Sequence, residues 1–175
     1  MTKPQSDKTA REPAAAEMMA APGEMRVGPR VSVGVDLVKV AQVAAAVDAF
    51  GDRYLRRLFT PSEIDDCRLI DGGYVADRLA TRYAAKEAAL KMLEPEPDEV
   101  PEWHTIEVRS LSSGACEIAL LDAAAKLAAR RGIRSVAMSA SHEGGFATAV
   151  VIGWGDQPAG VQRRVRRTPD RQMHE

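Results

Sequence analysis

Residues 31–38 carry apolar side chains that first alternate and then run together (Val31, Val33, Val35, Leu37, Val38), the pattern of a buried strand. Residues 41–50 read as a short helix. Gly51 and Asp52 break it, and a second helix begins at Arg53 and reaches Phe59. There Leu55, Leu58 and Phe59 can face inward, which leaves Arg53, Arg56 and Arg57 as a basic face. Thr60-Pro61-Ser62-Glu63 opens a third helix, with Thr60 as N-cap, Pro61 at the first position and Glu63 completing a capping box. This helix carries Ile64, Cys67 and Leu69 and is expected to end near Asp71-Gly72-Gly73. A long helix then begins soon after Gly73 and runs to about Glu94, where Pro95 stops it. On a helical wheel Leu79, Tyr83, Leu90 and Leu93 form one apolar stripe; Lys86 falls inside it and Glu87 at its edge.

Residues 95–102 are acidic and contain three prolines, so they are expected to be a loop. Residues 103–109 read as a strand, Ser112-Ser113-Gly114 as a turn, and residues 115–118 as a short pairing strand. Residues 119–131 form an Ala/Leu helix closed by Gly132. Residues 134–141 and 146–154 read as two strands joined by a hairpin turn at Glu143-Gly144-Gly145. This divides the chain into an aperiodic Ala/Pro-rich extension (1–29), one domain (30–154) and a flexible basic tail (155–175). Met25 is an alternative natural start.

Composition narrows the class. A chain of 175 residues with 45% hydrophobic content can bury one ordinary core. A net charge of -1 gives no argument for nucleic-acid binding. Cys67 and Cys116 lie far apart in no metal-like spacing, as expected of free thiols in a reduced cytoplasm. No apolar run is long enough to span a membrane. Residues 14–21 are too short for a signal peptide's apolar centre and are interrupted by Glu17. The expectation is a soluble, cytoplasmic protein.

Four polar positions carry candidate chemistry. Asp36 near the end of the first strand is either a turn or cap residue or a metal ligand. Glu87 and Lys91 are spaced as an ordinary helix-surface pair. His142 at the last hairpin reads by itself as an exposed loop residue. The residues alone leave these alternatives open.

Taken in order, Val33-Gly34-Val35-Asp36-Leu37-Val38, Leu58-Phe59-Thr60-Pro61-Ser62-Glu63, Arg82-Tyr83-Ala84-Ala85-Lys86-Glu87-Ala88 and Ser139-Ala140-Ser141-His142 resemble the 4'-phosphopantetheinyl transferases. Within them the chain is most similar to the small holo-[acyl-carrier-protein] synthase group. The resemblance covers roughly residues 31–153, and its Ala-Ala-Lys-Glu-Ala block is specific. It implies an α+β fold, a small antiparallel-rich sheet packed with a long central helix, in a homotrimer whose active sites are shared between neighbouring subunits. It also implies Mg²⁺-dependent transfer of the phosphopantetheine arm of coenzyme A to a serine of an acyl carrier protein, releasing adenosine 3',5'-bisphosphate. The carrier would serve fatty-acid, polyketide or peptide synthesis.

In that reading Asp36 and Glu87 hold Mg²⁺, which prefers a few carboxylates together with phosphate oxygens and water. Glu87 is also a candidate for taking the serine proton. Lys91 and His142 contact the phosphates. Arg82 and Lys86, ranked above Arg78, either bind the nucleotide's phosphates or pair structurally. Arg53, Arg56 and Arg57 face the acidic carrier. Residues 94–102 depart from the family, which commonly has a glycine-containing loop there near the coenzyme A site. Two alternatives stand beside transfer: a non-catalytic carrier-binding homologue, and a metal-dependent pyrophosphate hydrolase using the same ligands.

Overall fold

A computed structural model describes residues 30–156. The elements, in order, are β1 (Arg30–Lys39), α1 (Val40–Phe50), α2 (Asp52–Leu58), α3 (Pro61–Cys67), α4 (Ala76–Leu93), a 3-10 turn (Trp103–Thr105), β2 (Ile106–Ser110), β3 (Cys116–Leu120), α5 (Asp122–Arg130), β4 (Ile133–Glu143) and β5 (Phe146–Gly155). The three-stranded sheet has the order β1-β5-β4, and β2 and β3 form a separate two-stranded hairpin. All pairings are antiparallel, with Asp36 opposite Ala149 and His142 opposite Ala147. The expected extension at 1–29, and the expected tail beyond Asp156, lie outside the described residues.

The long helix organises this arrangement. α4 is rich in strong helix formers, and it ends where Glu94 adopts a left-handed conformation just before Pro95. Its burial is wider than the expected stripe. Leu79 and Leu93 are buried, Tyr83 and Leu90 only partly, while Ala84, Ala85, Ala88, Ala89 and Met92 are fully enclosed. The helix is wrapped because the sheet covers one side while α1, α3, α5 and β2 cover others.

Small residues on both partners let α4 lie close against the sheet. The sheet's inner face presents Ser32 and Gly34 from β1, and Ala147, Ala149 and Gly153 from β5, all buried. At Gly34 an added Cβ would overlap the Ala88 carbonyl oxygen and lie 2.7 Å from the Met92 backbone nitrogen. Backbone atoms on a packed helix cannot rotate away. Gly34→Ala is therefore expected to lower stability by about 1–3 kcal/mol through overpacking, read as a lower urea midpoint with an unchanged slope.

β1 corrects the expectation of a buried apolar strand. Its inward positions are Ser32, Gly34, Asp36 and Val38. Val31, Val33, Val35 and Leu37 point outward and are 52–64% exposed. The closeness of α4 at Gly34 is the physical reason, since no side chain fits beneath the helix there and the strand's parity follows from that position. The same outer face continues onto β5 with Phe146, Ile152 and Trp154.

Other boundaries also moved. α3 ends at Cys67, and Leu69 is exposed in a turn closed by the pairing of Arg68 with Tyr74. The strand expected from Trp103 starts only at Ile106, after the 3-10 turn. Ala119 and Leu120 pair with β2 rather than opening α5. α2 buries Leu55, Leu58 and Phe59 and exposes Arg53, Arg56 and Arg57, as its pattern predicts. Among the described residues no helix is long and apolar enough to cross a membrane.

Candidate functional site

Asp36 and Glu87, 51 positions apart in sequence, are brought to one place by the packing of β1 on α4. Asp36 follows Gly34 on the inward face of β1, so it points toward the helix rather than outward with Val35 and Leu37. Its Oδ1 accepts a hydrogen bond from Lys91 Nζ at 2.8 Å, and Lys91 also donates to the Val35 carbonyl at 3.0 Å. Lys91 therefore crosses to the strand instead of pairing along the helix with Glu87. The Asp36 hydrogen bond, helped by the charges of Asp36 and Glu87, raises the Lys91 pKa.

Glu87 accepts a hydrogen bond at Oε1 from the Tyr83 hydroxyl, 3.0 Å away and one turn earlier on α4. Burial foremost, and then Glu87 with a smaller effect of Asp36, pushes the Tyr83 phenol up to about 12, so it stays a donor at neutral pH. Both carboxylates thus act electrostatically on the same two neighbours, Tyr83 and Lys91. The donor set suits a hard divalent cation that takes one or two protein carboxylates and completes its shell with phosphate and water. Among the described residues no group of three or more His, Cys, Asp and Glu side chains could hold a metal.

Lys86 corrects one expectation. It is fully buried, 2.8 Å from Glu63 Oε2, which is also fully buried. Its ammonium donates to the carbonyls of Trp103, at 3.0 Å, and Ile106. All three donors are occupied inside the core, so the side chain pairs structurally and does not face a phosphate. Burial lowers its pKa, and Glu63 opposes that shift. Glu63 was legible only as a capping residue. It does cap α3, exchanging hydrogen bonds with Thr60, and its other oxygen accepts from Val108 N at 2.9 Å.

Arg82 and Arg78 face a cavity of about 450 Å³ that also includes Asp66, Thr81, Ser110 and His142 in its lining. Arg82 is buried and donates to Asp66 Oδ2 at 3.0 Å and Ser110 Oγ at 2.8 Å; among the described residues its Nε has no hydrogen-bond partner. Arg78 is the more exposed of the two and donates to the Asp66 carbonyl. This reverses the expected ranking for access to a ligand.

His142 is exposed on β4, two residues before the turn glycines, with Nδ1 3.4 Å from Thr81 Oγ1. It lies two strands over from Asp36 and two residues along, so their backbones are roughly 12 Å apart. The chain therefore gathers Asp36, Glu87, Lys91 and Tyr83 in one cluster, and Arg78, Arg82 and His142 around a neighbouring cavity. Sequence reasoning missed Tyr83 as a polar partner, although its spacing four residues before Glu87 was a usable signal. In the loop after α4, Glu96 and Glu99 engage Arg131, and Glu99 also engages Arg130, at the end of α5. These contacts offset much of the loop's charge.

A strand-borne aspartate and a helix-borne glutamate meeting beneath a small antiparallel sheet define a class. The family model described as the 4'-phosphopantetheinyl transferase superfamily matches residues 32–151, and the chain belongs to this superfamily. The holo-[acyl-carrier-protein] synthase of Desulforudis audaxviator is 42% identical over 134 residues, spanning 77% of this chain and 98% of that protein. Among solved structures, the Helicobacter pylori holo-[acyl-carrier-protein] synthase in complex with coenzyme A is 30% identical with a TM-score of 0.59, covering 69% of this chain and 98% of that one. The Mycobacterium tuberculosis acyl carrier protein synthase is 32% identical with a TM-score of 0.56, covering 73% and 99%.

Proposed function

We propose that this protein transfers the 4'-phosphopantetheine arm of coenzyme A to a serine hydroxyl of an apo acyl carrier protein, releasing adenosine 3',5'-bisphosphate. The observation that carries this reading is the convergence of Asp36 and Glu87 on Lys91 and Tyr83, in a chain so similar to holo-[acyl-carrier-protein] synthases.

Asp36 and Glu87 would hold Mg²⁺, which when bound supplies Lewis-acid stabilisation of pyrophosphate charge. Lys91 already sits against Asp36 with its side chain about half exposed, so its ammonium can also meet a phosphate bound beside the carboxylates. Arg78 and Arg82 bring positive charge to the adjacent cavity, which suits the nucleotide's phosphates. His142 at its edge can donate to a phosphate oxygen. These groups work by positioning the reactants and by stabilising charge on the leaving phosphate. Arg53 and Arg57, with Arg56 paired to Asp52 at 2.9 Å, present exposed charge for an acidic carrier, which favours encounter more than final affinity.

The exposed apolar sheet face supports assembly as a homotrimer, because contiguous apolar patches of this kind commonly mark interfaces. Sedimentation is expected to give three times the 18.9 kDa chain mass. Val33→Lys and Leu37→Lys together are expected to shift the protein to monomer.

The decisive experiment incubates the protein with coenzyme A, Mg²⁺ and candidate apo carriers and reads the carriers by intact mass. A gain of one phosphopantetheine on a single serine is expected. Release of free 4'-phosphopantetheine and adenosine 3',5'-bisphosphate with no carrier modified would favour hydrolysis instead.

A further inference from the structure

Among the described residues Tyr83 supplies the one hydrogen bond to the Glu87 side chain, at 3.0 Å. The helix neighbour that would ordinarily pair with Glu87 is Lys91, and it is engaged by Asp36. Glu87 is partly exposed, and without Tyr83 its carboxylate would sample several rotamers, each an entropic cost to fix when a ligand binds.

The Tyr83 ring is itself held. It stacks on Trp103 with ring centroids 5.8 Å apart and planes 25° from parallel. Trp103 is anchored through its carbonyl by Lys86 Nζ at 3.0 Å, and Lys86 is fixed by buried Glu63 at 2.8 Å. A buried ion pair thus sets the position of an aromatic platform, and the platform sets the direction of a hydroxyl. Packing alone does not require that hydroxyl, since a phenyl ring would stack equally well. A neutral donor also has an advantage over an ammonium here. It orients the carboxylate without cancelling the charge that a cation must find.

We infer that Tyr83 is a positioning residue for Glu87: its hydroxyl, aimed by the stack on Trp103, holds one carboxylate oxygen and leaves the other for the metal. The inference rests on the proposed metal-dependent transfer.

The test uses Tyr83→Phe, which keeps the ring and removes only the donor. Mn²⁺ alone is titrated into the full-length protein and followed by water-proton relaxation. The Mn²⁺ dissociation constant is expected to rise about tenfold, the scale of one lost hydrogen bond to a charged group. The KM for Mg²⁺ in transfer should rise alongside it, with kcat at saturating Mg²⁺ changed less than about threefold, because only binding of the ion is weakened. A purely structural role for Tyr83 would lower the thermal midpoint and leave Mn²⁺ affinity unchanged, which overturns the inference. In a Glu87→Gln background Tyr83→Phe should add nothing further; a full additive loss also overturns it. Absence of transfer by the wild-type protein to every apo carrier sinks the proposed function itself. Transfer by the wild type with unaltered Mn²⁺ affinity in Tyr83→Phe sinks only the role of Tyr83.

Discussion

Lys86→Met is expected to destabilise the protein by about 3–5 kcal/mol, the usual result of removing one partner from a buried ion pair. Methionine matches the lysine stem in length, so little packing is lost. What remains is the Glu63 carboxylate, without solvent contact and, among the described residues, hydrogen-bonded only by the backbone nitrogens of Thr60 and Val108. The carbonyls of Trp103 and Ile106 lose a charged donor as well. Against a total stability of about 5–15 kcal/mol for a domain, a loss of this size takes about a fifth or more. Urea unfolding followed by circular dichroism measures it. Adding Glu63→Gln to Lys86→Met is expected to recover part of the loss, because the buried charge is gone, although the amide's single oxygen can accept from only one of the two backbone nitrogens that Glu63 serves with separate oxygens. A single-variant cost below about 1 kcal/mol would mean that water or a shifted side chain compensates the pair, and that the buried geometry is not what holds the 3-10 turn.

This pair also shows where sequence reading stops. Lys86 was conspicuous because it falls inside an apolar stripe. Glu63 was not, because its place in Thr60-Pro61-Ser62-Glu63 already had a complete explanation as a capping residue. One side chain performs both tasks with one oxygen: Oε2 accepts from Thr60 N and faces Lys86 Nζ, while Oε1 accepts from Val108 N. The resemblance left Lys86 between a phosphate-binding and a structural role, and only the tertiary packing of α3 and β2 against α4 assigns it to the core.

β1 was legible as a strand but not in its orientation. Alternation gives the period of a strand and leaves open which face meets the core. The answer lay elsewhere in the chain, in the alanines of α4. At Ala88 and Met92 the helix backbone approaches so closely that only a glycine fits opposite, at Gly34, with Ser32 and Asp36 beside it on the inward face. The same constraint turns Asp36 inward, so the strand's inverted patterning and the position of a candidate metal ligand have a single cause. The cavity beside Arg82 could not be read at all. It is assembled from the end of α3, the first half of α4, the β2–β3 hairpin and the end of β4, and no local spacing relates those segments.

Asp36→Asn and Glu87→Gln should each lower kcat/KM for carrier modification by about 10²–10³, equivalent to the 2.7–4 kcal/mol typical of losing one preorganised electrostatic contact to the transition state. Both substitutions are nearly isosteric and both sites lie at the edge of the core, so the fold should survive. Asp36→Asn removes an ion pair whose lysine is 53% exposed, a contact worth no more than about 1 kcal/mol. Loss of activity with a thermal midpoint close to wild type therefore separates a direct role from a structural one. The two substitutions together should cost much less than the product of their separate effects, since residues that serve one ion act as a unit. Full additivity would mean that the two acids act independently, Asp36 through Lys91 and Glu87 through another route. Either variant retaining activity within tenfold of the wild type would remove that residue from the proposed metal site, and the remaining carboxylate would then need a partner from a neighbouring chain.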